Sequence, residues 1–138
     1  MSNLIRLSLS IEDTLFEQLE KKVLEKGYKN RSEFVRDMIR DYLVKDEWDN
    51  SEEVVGTITL IYDHIKRELS KKLTELQHSH HSIVLASTHV HLTEHICAEM
   101  IMVKGPAAEV QKLSDDLGQQ IGVLHSGLIM GTAGHNLN

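Results

Sequence analysis

A short stretch near the N-terminus constrains the fold of this chain more than any other feature. Apolar and polar residues alternate strictly along residues 5–11, and this alternation predicts a half-buried β-strand, because successive side chains of a strand point to opposite faces. Only helical patterns follow as far as residue 45, and about 45 residues bury little core alone. We therefore expect the strand to pair antiparallel with the same strand of a second copy. The apolar positions are Ile5, Leu7, Leu9 and Ile11, and the polar positions are Arg6, Ser8 and Ser10.

Two helices are predicted after this strand. Apolar residues at Leu15, Leu19 and Val23 have the spacing of one helix face. Gly27 is expected to end that helix, because glycine readily adopts the left-handed conformation found just past a helix. The segment Asn-Arg-Ser-Glu at residues 30–33 begins the second helix.

A polar, acidic and aperiodic stretch at residues 46–53 separates two differently patterned regions. We interpret this stretch as a linker between a first domain of residues 1–45 and a second domain of residues 54–131. The last residues, 132–138, are expected to form a flexible tail.

The second domain has the pattern of an α+β fold. Its Val-, Ile- and Thr-rich segments predict strands, and its segments of helical periodicity predict two helices. The predicted order is βαββαβ, the ferredoxin-like split arrangement. The elements are strand 54–62, helix 64–77, strands 83–91 and 96–103, a helix from Gly105-Pro106 to near Gly122, and strand 123–130.

Charge is distributed unevenly between the two halves. The whole chain has a formal net charge of −6 at pH 7. Residues 1–45 carry +1, whereas the remainder carries −7 and all nine histidines. The acidic, His-rich second half suits a cation, and the near-neutral first half would bind DNA only through a few placed contacts. No apolar run approaches the ~18 residues of a membrane span. With a single cysteine, Cys97, this indicates a cytoplasmic protein without contact to a membrane.

A histidine pair and the single cysteine form the clearest candidate site. His89 and His91 lie on one face of a predicted strand, because side chains repeat every second residue. After a short turn, Cys97 lies on the returning strand, with Glu99 on the same face. Two imidazoles and a thiolate are ligands for Zn²⁺, Cu²⁺ or Ni²⁺, and neither the spacing nor the ligand types choose among these metals. A fourth ligand is expected from His78, His80 or His81.

The strand–helix–helix segment resembles the ribbon-helix-helix DNA-binding domains. The alternation of the strand and the segment Gly-Tyr-Lys-Asn-Arg-Ser-Glu at residues 27–33 carry the resemblance. It implies that a two-stranded ribbon from a dimer enters the major groove. The residues implied to read base edges are Arg6, Ser8 and Ser10, and the helix N-terminus at Asn30 and Arg31 is implied to meet a phosphate.

Both halves together resemble the nickel-responsive regulator (NikR) family, in which a ribbon-helix-helix domain precedes an ACT-like βαββαβ domain. The motifs are residues 30–33, Leu-Gln-His at 76–78, His-Val-His at 89–91, Cys97 with Glu99, and Lys-Gly at 104–105. The resemblance implies a homotetramer with one Ni(II) per subunit, and repression of nickel-uptake genes through operator DNA. It also implies square-planar nickel bound by His89, His91 and Cys97 of one subunit and His78 of another.

Further positions take roles only from this resemblance. Tyr62, Gln77 and Glu99 are implied to hold the ligands by hydrogen bonds, and Lys66 and Arg67 are implied to reach the DNA backbone. Ile121 departs from the family, which can carry a basic residue in this stretch. Two carboxylates, Glu33 and Asp37, match an interdomain cation site that main-chain carbonyls near Gly118, Gln120 and Val123 complete.

Two other functions remain open at the level of the sequence. A ribbon-helix-helix repressor could sense an amino acid, or copper, cobalt or zinc, through its ACT-like domain. The amino-acid alternative predicts a polar pocket and no role for Cys97. A zinc- or cysteine-dependent hydrolase needs an accessible, activated Cys97 and an oxyanion site. We expect no enzyme, because a hairpin that carries three soft ligands leaves little for such a site.

Overall fold

The structure, a computed structural model, describes residues 3–135 and 137, apart from the side chain of Arg67. It divides into two units. The N-terminal unit comprises Met1–Leu43 with Gly134–Asn138, and the C-terminal unit comprises Val44–Ala133. No helix in the described part of the chain is long and apolar enough to cross a membrane.

The N-terminal unit contains helix α1, Asp13–Glu25, and the first part of helix α2, Arg31–Asp49. Gly27 follows α1 with φ +74, as its place in the sequence predicts. The N–H of Gly27 donates to Leu24 O at 3.1 Å, and the N–H of Tyr28 donates to Val23 O at 3.0 Å. These two bonds satisfy carbonyls that the end of the helix would otherwise leave free.

The predicted strand at residues 5–11 is not formed in the single chain, where residues 3–12 carry no strand assignment. A strand is defined by its hydrogen bonds to a second strand, and the described sheet belongs entirely to the C-terminal unit. The apolar side chains of this segment lie in solvent, with Ile5 89% exposed and Leu7 80% exposed. No side chain of α1 is buried either, so this unit has apolar faces without a core.

Helix α2 continues through part of the predicted linker. Residues 46–49 are helical, because Trp48 is buried among core residues of the C-terminal unit and holds this turn in place. Its indole N–H donates to Gly131 O at 2.9 Å. In the predicted tail, the carbonyl of Leu137 accepts a hydrogen bond from Arg40 Nε at 3.1 Å.

The C-terminal unit has the predicted βαββαβ order and one sheet. The strands lie in the order β2-β3-β1-β4, and every neighbouring pair is antiparallel. The elements are β1 Glu53–Asp63, α3 Arg67–Ser79, β2 Val84–His91, β3 Ile96–Pro106, α4 Ala107–Gly118 and β4 Val123–Met130.

Helix α4 differs from its prediction at both ends. Pro106 precedes the helix as its N-cap, with φ −57 and ψ 133, and the helix ends at Gly118, four residues before the expected Gly122. The start is fixed by bonds from outside the helix. The N–H of Ala107 donates to Glu52 O at 3.0 Å, and the N–H of Ala108 donates to Ser51 Oγ at 3.1 Å. Helix α3 also begins later than predicted, at Arg67.

The core lies between one face of the sheet and helices α3 and α4. Alternate residues of β1 and β3 are buried, as expected for strands with one covered face. Gly105 lets the chain after α3 approach β3 closely, because a Cβ there would lie 2.6 Å from Ile83 Cγ2. Fully buried side chains on the two strands and α4 include Ile58, Leu60, Ile101, Val103, Leu113 and Leu117.

Candidate metal centre

Two adjacent strands, β2 and β3, bring three of the predicted ligands to one end of the sheet. In the register of the sheet, Cys97 on β3 lies between His91 on β2 and Tyr62 on β1. His89 lies opposite Glu99. Directly paired residues share a face, so both histidines lie on the face of Cys97 and Glu99, as the sequence predicts.

Cys97 is the buried centre of this group. The residue has no exposed surface, and its Sγ lies 3.4 Å from His91 Nδ1. Burial raises the pKa of the Cys97 thiol, and the negative charges of Glu99 and Asp63 raise it further. In the free protein the sulfur is therefore a thiol at neutral pH, and a metal that binds it must displace its proton.

His64 is a member of this cluster that the sequence reasoning missed. The ligand atoms of His64, His91 and Cys97 all lie within 4.8 Å of one another. The rings of His64 and His91 have centroids 4.8 Å apart and planes at 82°. A signal was available, because the inward alternation of Leu60 and Tyr62 on β1 reaches His64 after one more step.

The other two predicted ligands do not join this cluster in the described chain. The ring of His89 stacks beside Tyr62, with centroids 6.2 Å apart and planes at 10°, and lies 5.1 Å from the ring of His91. His78 is exposed in the last turn of α3. The alternative donors are engaged locally: His80 Nδ1 lies 2.9 Å from Leu76 O, and His81 Nδ1 lies 3.3 Å from His78 O.

Beside the ligands, Glu99 ties three elements together. Its carboxylate accepts hydrogen bonds from Tyr62 OH at 3.1 Å, Gln77 Nε2 at 2.6 Å and Ser87 Oγ at 3.1 Å. Burial raises the pKa of Tyr62, and the adjacent Glu99 raises it further, so the phenol remains a donor. The structure brings Tyr62, Gln77 and Glu99 together, and it adds Ser87, which sequence reasoning did not identify.

The donor set fits a divalent transition metal. A sulfur and imidazole nitrogens are borderline-soft ligands that suit Ni²⁺, Cu²⁺ or Zn²⁺. The buried Sγ close to an exposed imidazole gives such an ion a thiolate on the protein side and access from solvent on the other.

The predicted DNA-reading residues lie in the N-terminal unit. Arg6, Ser8 and Ser10 are all exposed. Asn30 Oδ1 accepts the N–H of Glu33 at 2.9 Å and so caps α2. The guanidinium of Arg31 pairs with Glu20 and lies over the ring of Phe16, 4.9 Å from its centroid.

A groove in the C-terminal unit contains Lys66, one of the predicted contacts to the DNA backbone. The groove has a volume of about 980 Å³. Ile121 lines it and is 91% exposed. The side chain of Arg67 lies outside the described residues. The polar lining is Lys66, Glu68, Lys71, Lys72, Glu75, Gln119 and Gln120.

The carboxylates of the predicted cation site already have cationic or hydroxyl partners. Glu33 pairs with Arg36 at 2.5 Å, and Asp37 pairs with Arg40 at 2.9 Å. Tyr28 OH donates to Asp37 at 2.5 Å. This hydrogen bond, followed by the bond from Arg40, lowers the pKa of Asp37, and the same contact with Asp37 raises the pKa of Tyr28. The carbonyls expected to complete the site belong to the other unit.

Both parts of the chain match known families. Residues 55–130 match the family described as "NikR C terminal nickel binding domain". Residues 5–46 match the family described as "Ribbon-helix-helix protein, copG family".

Relatives match over the whole chain. Two proteins named "Putative nickel-responsive regulator", from Geobacter metallireducens and Geobacter sulfurreducens, are each 48% identical over 100% of both chains. A protein of the same name from Caldanaerobacter subterraneus subsp. tengcongensis is 40% identical over 99% of this chain and 90% of its own. The uncharacterized protein TM1266 from Thermotoga maritima superposes on 56% of this chain and 96% of its own, with a TM-score of 0.52. At 19% identity, that similarity shows a shared fold alone.

Proposed function

The chain belongs to the nickel-responsive regulator family, and from this premise we propose that it is a repressor that binds operator DNA when loaded with Ni(II). Control of nickel-uptake genes is the role that the family resemblance suggests. One observation carries the metal part of the proposal: a buried Cys97 Sγ lies 3.4 Å from His91 Nδ1 on a hairpin that also presents His89 on the same face.

The proposed nickel ligands are His89, His91 and Cys97 of one subunit and His78 of another, with one Ni(II) per subunit. Nickel bound to these ligands supplies a charge and a fixed ligand geometry that link two subunits. The position of His78 supports this sharing, because it is exposed at the end of α3 while the other three lie on the hairpin of β2 and β3. A homotetramer built on the C-terminal units is the assembly that we propose.

The surroundings of Glu99 give the ligands their orientation. Gln77, the residue before His78, donates to the same carboxylate as Tyr62 and Ser87. Glu99 therefore joins helix α3 to the strand that carries Cys97, two residues away. Under the proposal, this bond holds the end of α3 in a fixed position relative to the hairpin, which favours nickel binding between subunits.

The N-terminal unit supplies DNA binding. Its exposed apolar strand residues fit an antiparallel ribbon formed with a second copy, and contiguous exposed apolar surface marks an interaction site. In that ribbon Arg6, Ser8 and Ser10 face the major groove, and the capped first turn of α2 at Asn30 and Arg31 meets a phosphate. Lys66 and Arg67 at the start of α3 are the proposed contacts of the C-terminal unit with the DNA backbone.

The coupling between nickel and DNA follows from linkage. If the nickel-loaded protein binds operator DNA more tightly than the free protein, DNA must strengthen nickel binding by the same factor. Helix α3 carries Lys66 and Arg67 near its start and His78 near its end. Fixing this helix through His78 is therefore the differential contact that the proposal requires.

The state of Cys97 argues against catalysis by this residue. A nucleophilic cysteine needs a lowered pKa and access to a substrate, whereas burial raises the pKa of Cys97 and leaves it without exposed surface. A family of transcription regulators is also not an enzyme family. Sensing of an amino acid remains a weaker alternative, because it gives no role to the contact between Cys97 and His91.

A titration tests the proposal. Ni(II) is added to the purified metal-free protein while thiolate-to-nickel absorption and retention of operator DNA are followed in the same samples. The expected result is absorption that saturates at one Ni(II) per subunit, with DNA binding that rises in parallel. Tight DNA binding that is independent of nickel would contradict the proposal, and so would nickel binding without thiolate absorption.

A further inference from the structure

The last residues of the chain belong to the N-terminal unit. Residues Gly134–Asn138 group with Met1–Leu43, and Arg40 on α2 contacts them. Arg40 Nε donates to the main-chain carbonyl of Leu137 at 3.1 Å. Because the acceptor is a main-chain oxygen, this contact depends on the presence of the segment and not on which side chain is at position 137.

Arg40 connects this carbonyl to the turn between α1 and α2. Its Nη1 donates to Asp37 Oδ1 at 2.9 Å, and Tyr28 OH donates to Asp37 Oδ2 at 2.5 Å. Both carboxylate oxygens of Asp37 are therefore engaged, and hydrogen bonds to a charged group are stronger than neutral ones. The guanidinium is rigid and planar, so a carbonyl that holds its Nε also fixes the direction in which Nη1 points.

Tyr28 lies just before the start of α2. The ring of Tyr28 packs edge-on against Phe34 in the first part of this helix, with centroids 5.2 Å apart and planes at 85°. Asn30 Oδ1 caps the helix by accepting the N–H of Glu33 at 2.9 Å. The position of Tyr28 therefore affects the first turn of α2, whose N–H groups are the proposed donors to a DNA phosphate.

The same segment leaves the C-terminal unit from a fixed point. The indole N–H of Trp48 donates to Gly131 O at 2.9 Å, and a Cβ at position 131 would lie only 2.7 Å from Val55 O. A segment that is held at its start loses less conformational entropy when its end is bound. One hydrogen bond at Leu137 can therefore order residues that are loose at the end of most chains.

We propose that residues 134–138 position the turn between α1 and α2 of their own chain for DNA binding, through Arg40, Asp37 and Tyr28. The inference rests on the proposed function, because the first turn of α2 is the proposed phosphate contact. The segment does not touch DNA itself in this proposal, and Arg40 is a positioning residue.

A chain that ends at Ala133 tests the proposal. The probe is a DNA duplex that the nickel-loaded wild-type protein selects from a random-sequence pool. Loss of one hydrogen bond should weaken binding to this duplex about fivefold per subunit, or about 25-fold for a dimer. The salt dependence of binding should fall by about one phosphate contact per subunit. Nickel absorption should not change, because none of the proposed nickel ligands is altered.

His135→Ala is the matched control, because it removes an exposed side chain from the segment and retains the main chain. It should bind the duplex as wild type does. Arg40→Lys repeats the test in a full-length chain: lysine keeps the charge but lacks the planar fork that holds both acceptors. It should therefore reproduce the loss of affinity seen in the shortened protein. Wild-type affinity in both the shortened protein and Arg40→Lys overturns the proposal.

Tyr28→Phe separates positioning from direct contact with DNA. It removes the hydroxyl that bonds to Asp37 and keeps the ring that packs on Phe34. Combining it with the deletion of residues 134–138 should add little to either loss, because both changes break the same chain of hydrogen bonds. Additive losses would show that the segment contacts DNA directly, and the proposal would be wrong.

Amide hydrogen exchange measures the turn without DNA. The N–H groups of Tyr28 and Glu33 each donate a hydrogen bond there. They should exchange about fivefold faster in the shortened protein and in Arg40→Lys, and at the wild-type rate in His135→Ala. Unchanged exchange in both altered proteins overturns the proposal. Failure of the proposed function gives a different result: nickel-loaded wild-type protein selects no duplex, while the exchange rates still report on the turn.

Discussion

The two units of this protein differ in how much apolar surface a single chain buries. In the C-terminal unit, one chain forms a closed core, with Ile58, Leu113 and Leu117 fully buried. In the N-terminal unit, α1 buries no side chain, and Ile5 and Leu7 remain almost fully exposed. Burial of apolar surface is the main favourable contribution to folding. The C-terminal unit therefore has this contribution within one chain, whereas the N-terminal unit lacks it, and under the proposed function a second copy supplies it.

The two units also differ in what their proposed functions require from a second copy of the chain. As proposed, reading DNA requires a second strand beside residues 5–11. The fold and the function of the N-terminal unit therefore both depend on pairing of this strand with that of a second copy. The C-terminal unit has its core within one chain, and the proposed nickel site needs only one further side chain, the neighbour's His78. Four predictions test whether the units are as separable as this comparison states.

The largest effect is expected in the N-terminal unit. Arg6→Ala should weaken binding to operator DNA by about 2–6 kcal/mol, since a bidentate contact with guanine contributes ~1–3 kcal/mol and a two-fold dimer makes it twice. Nickel stoichiometry and assembly should not change, because Arg6 is exposed and distant in sequence from the C-terminal core. The measurement is operator affinity beside nickel stoichiometry on one preparation.

Lys21→Ala is the control for charge, because Lys21 is an exposed cation on α1 whose side chain is 72% accessible. It should retain nearly all operator affinity. Normal operator affinity in Arg6→Ala would remove the ribbon hypothesis, and loss of nickel binding in that variant would show that the units are not separable.

The second prediction breaks the metal site while the fold is retained. Cys97→Ser should abolish thiolate-to-nickel absorption and weaken nickel binding by more than about 100-fold, the upper range for loss of residues that merely support a ligand. Serine has nearly the same size, and its hydroxyl is a poor ligand for nickel at neutral pH. Circular dichroism of the metal-free variant should match wild type. A variant with wild-type nickel affinity and spectrum would show that the thiolate is not a ligand.

The third prediction asks whether the C-terminal unit needs a neighbour. His78→Ala and Cys97→Ala should each lack the thiolate-to-nickel absorption when prepared alone. Unfolding and refolding the two variants together should restore part of that absorption. A shared site takes Cys97 from the first variant and His78 from the second, while the reciprocal site lacks both ligands. Mixed tetramers must be shown to form. If they recover no absorption, His78 acts within its own subunit or is not a ligand, and the proposal that nickel links two subunits is wrong.

The smallest effect is a dependence on pH that only the C-terminal unit should show. The pKa of the Cys97 thiol is raised by burial, so nickel must displace its proton throughout the neutral and mildly alkaline range. Nickel affinity should therefore increase with pH, about tenfold per unit for this proton, and should still increase above the ordinary thiol pKa of about 8.5.

Operator binding by protein already saturated with nickel is the internal control, because Cys97 has already lost its proton to the bound metal. It should vary little between about pH 7 and 9, where the affinity for nickel is expected to change. Nickel affinity that levels off well below pH 8 would mean that the thiol loses its proton more easily than its burial implies.

Periodic features were predicted from the sequence with good accuracy. Strand β4 begins and ends where its residues predict, at Val123 and Met130, and the hairpin brings His91 opposite Cys97 as expected. The bounds of β4 and the shared face of His91 and Cys97 both follow from the alternation of residues along a strand, which can be read from neighbouring positions in the sequence. The start of α4 was misplaced, because it is fixed by Ser51 and Glu52, more than 50 residues earlier in the chain.

Local periodicity and ligand type were thus determined by the sequence alone: the order of the helices and strands in the C-terminal unit, the apolar face of β1 and β3, and the presence of a cysteine and two histidines on one hairpin. Only the tertiary structure decided which distant groups meet. His64 joins Cys97 across the pairing of β1 with β3, Ser87 and Gln77 meet at Glu99, and Trp48 extends α2 into the predicted linker by packing in the core. The physical reason is that side-chain periodicity is a short-range property of the backbone, whereas these contacts depend on the register of non-adjacent strands and the packing of helices on them.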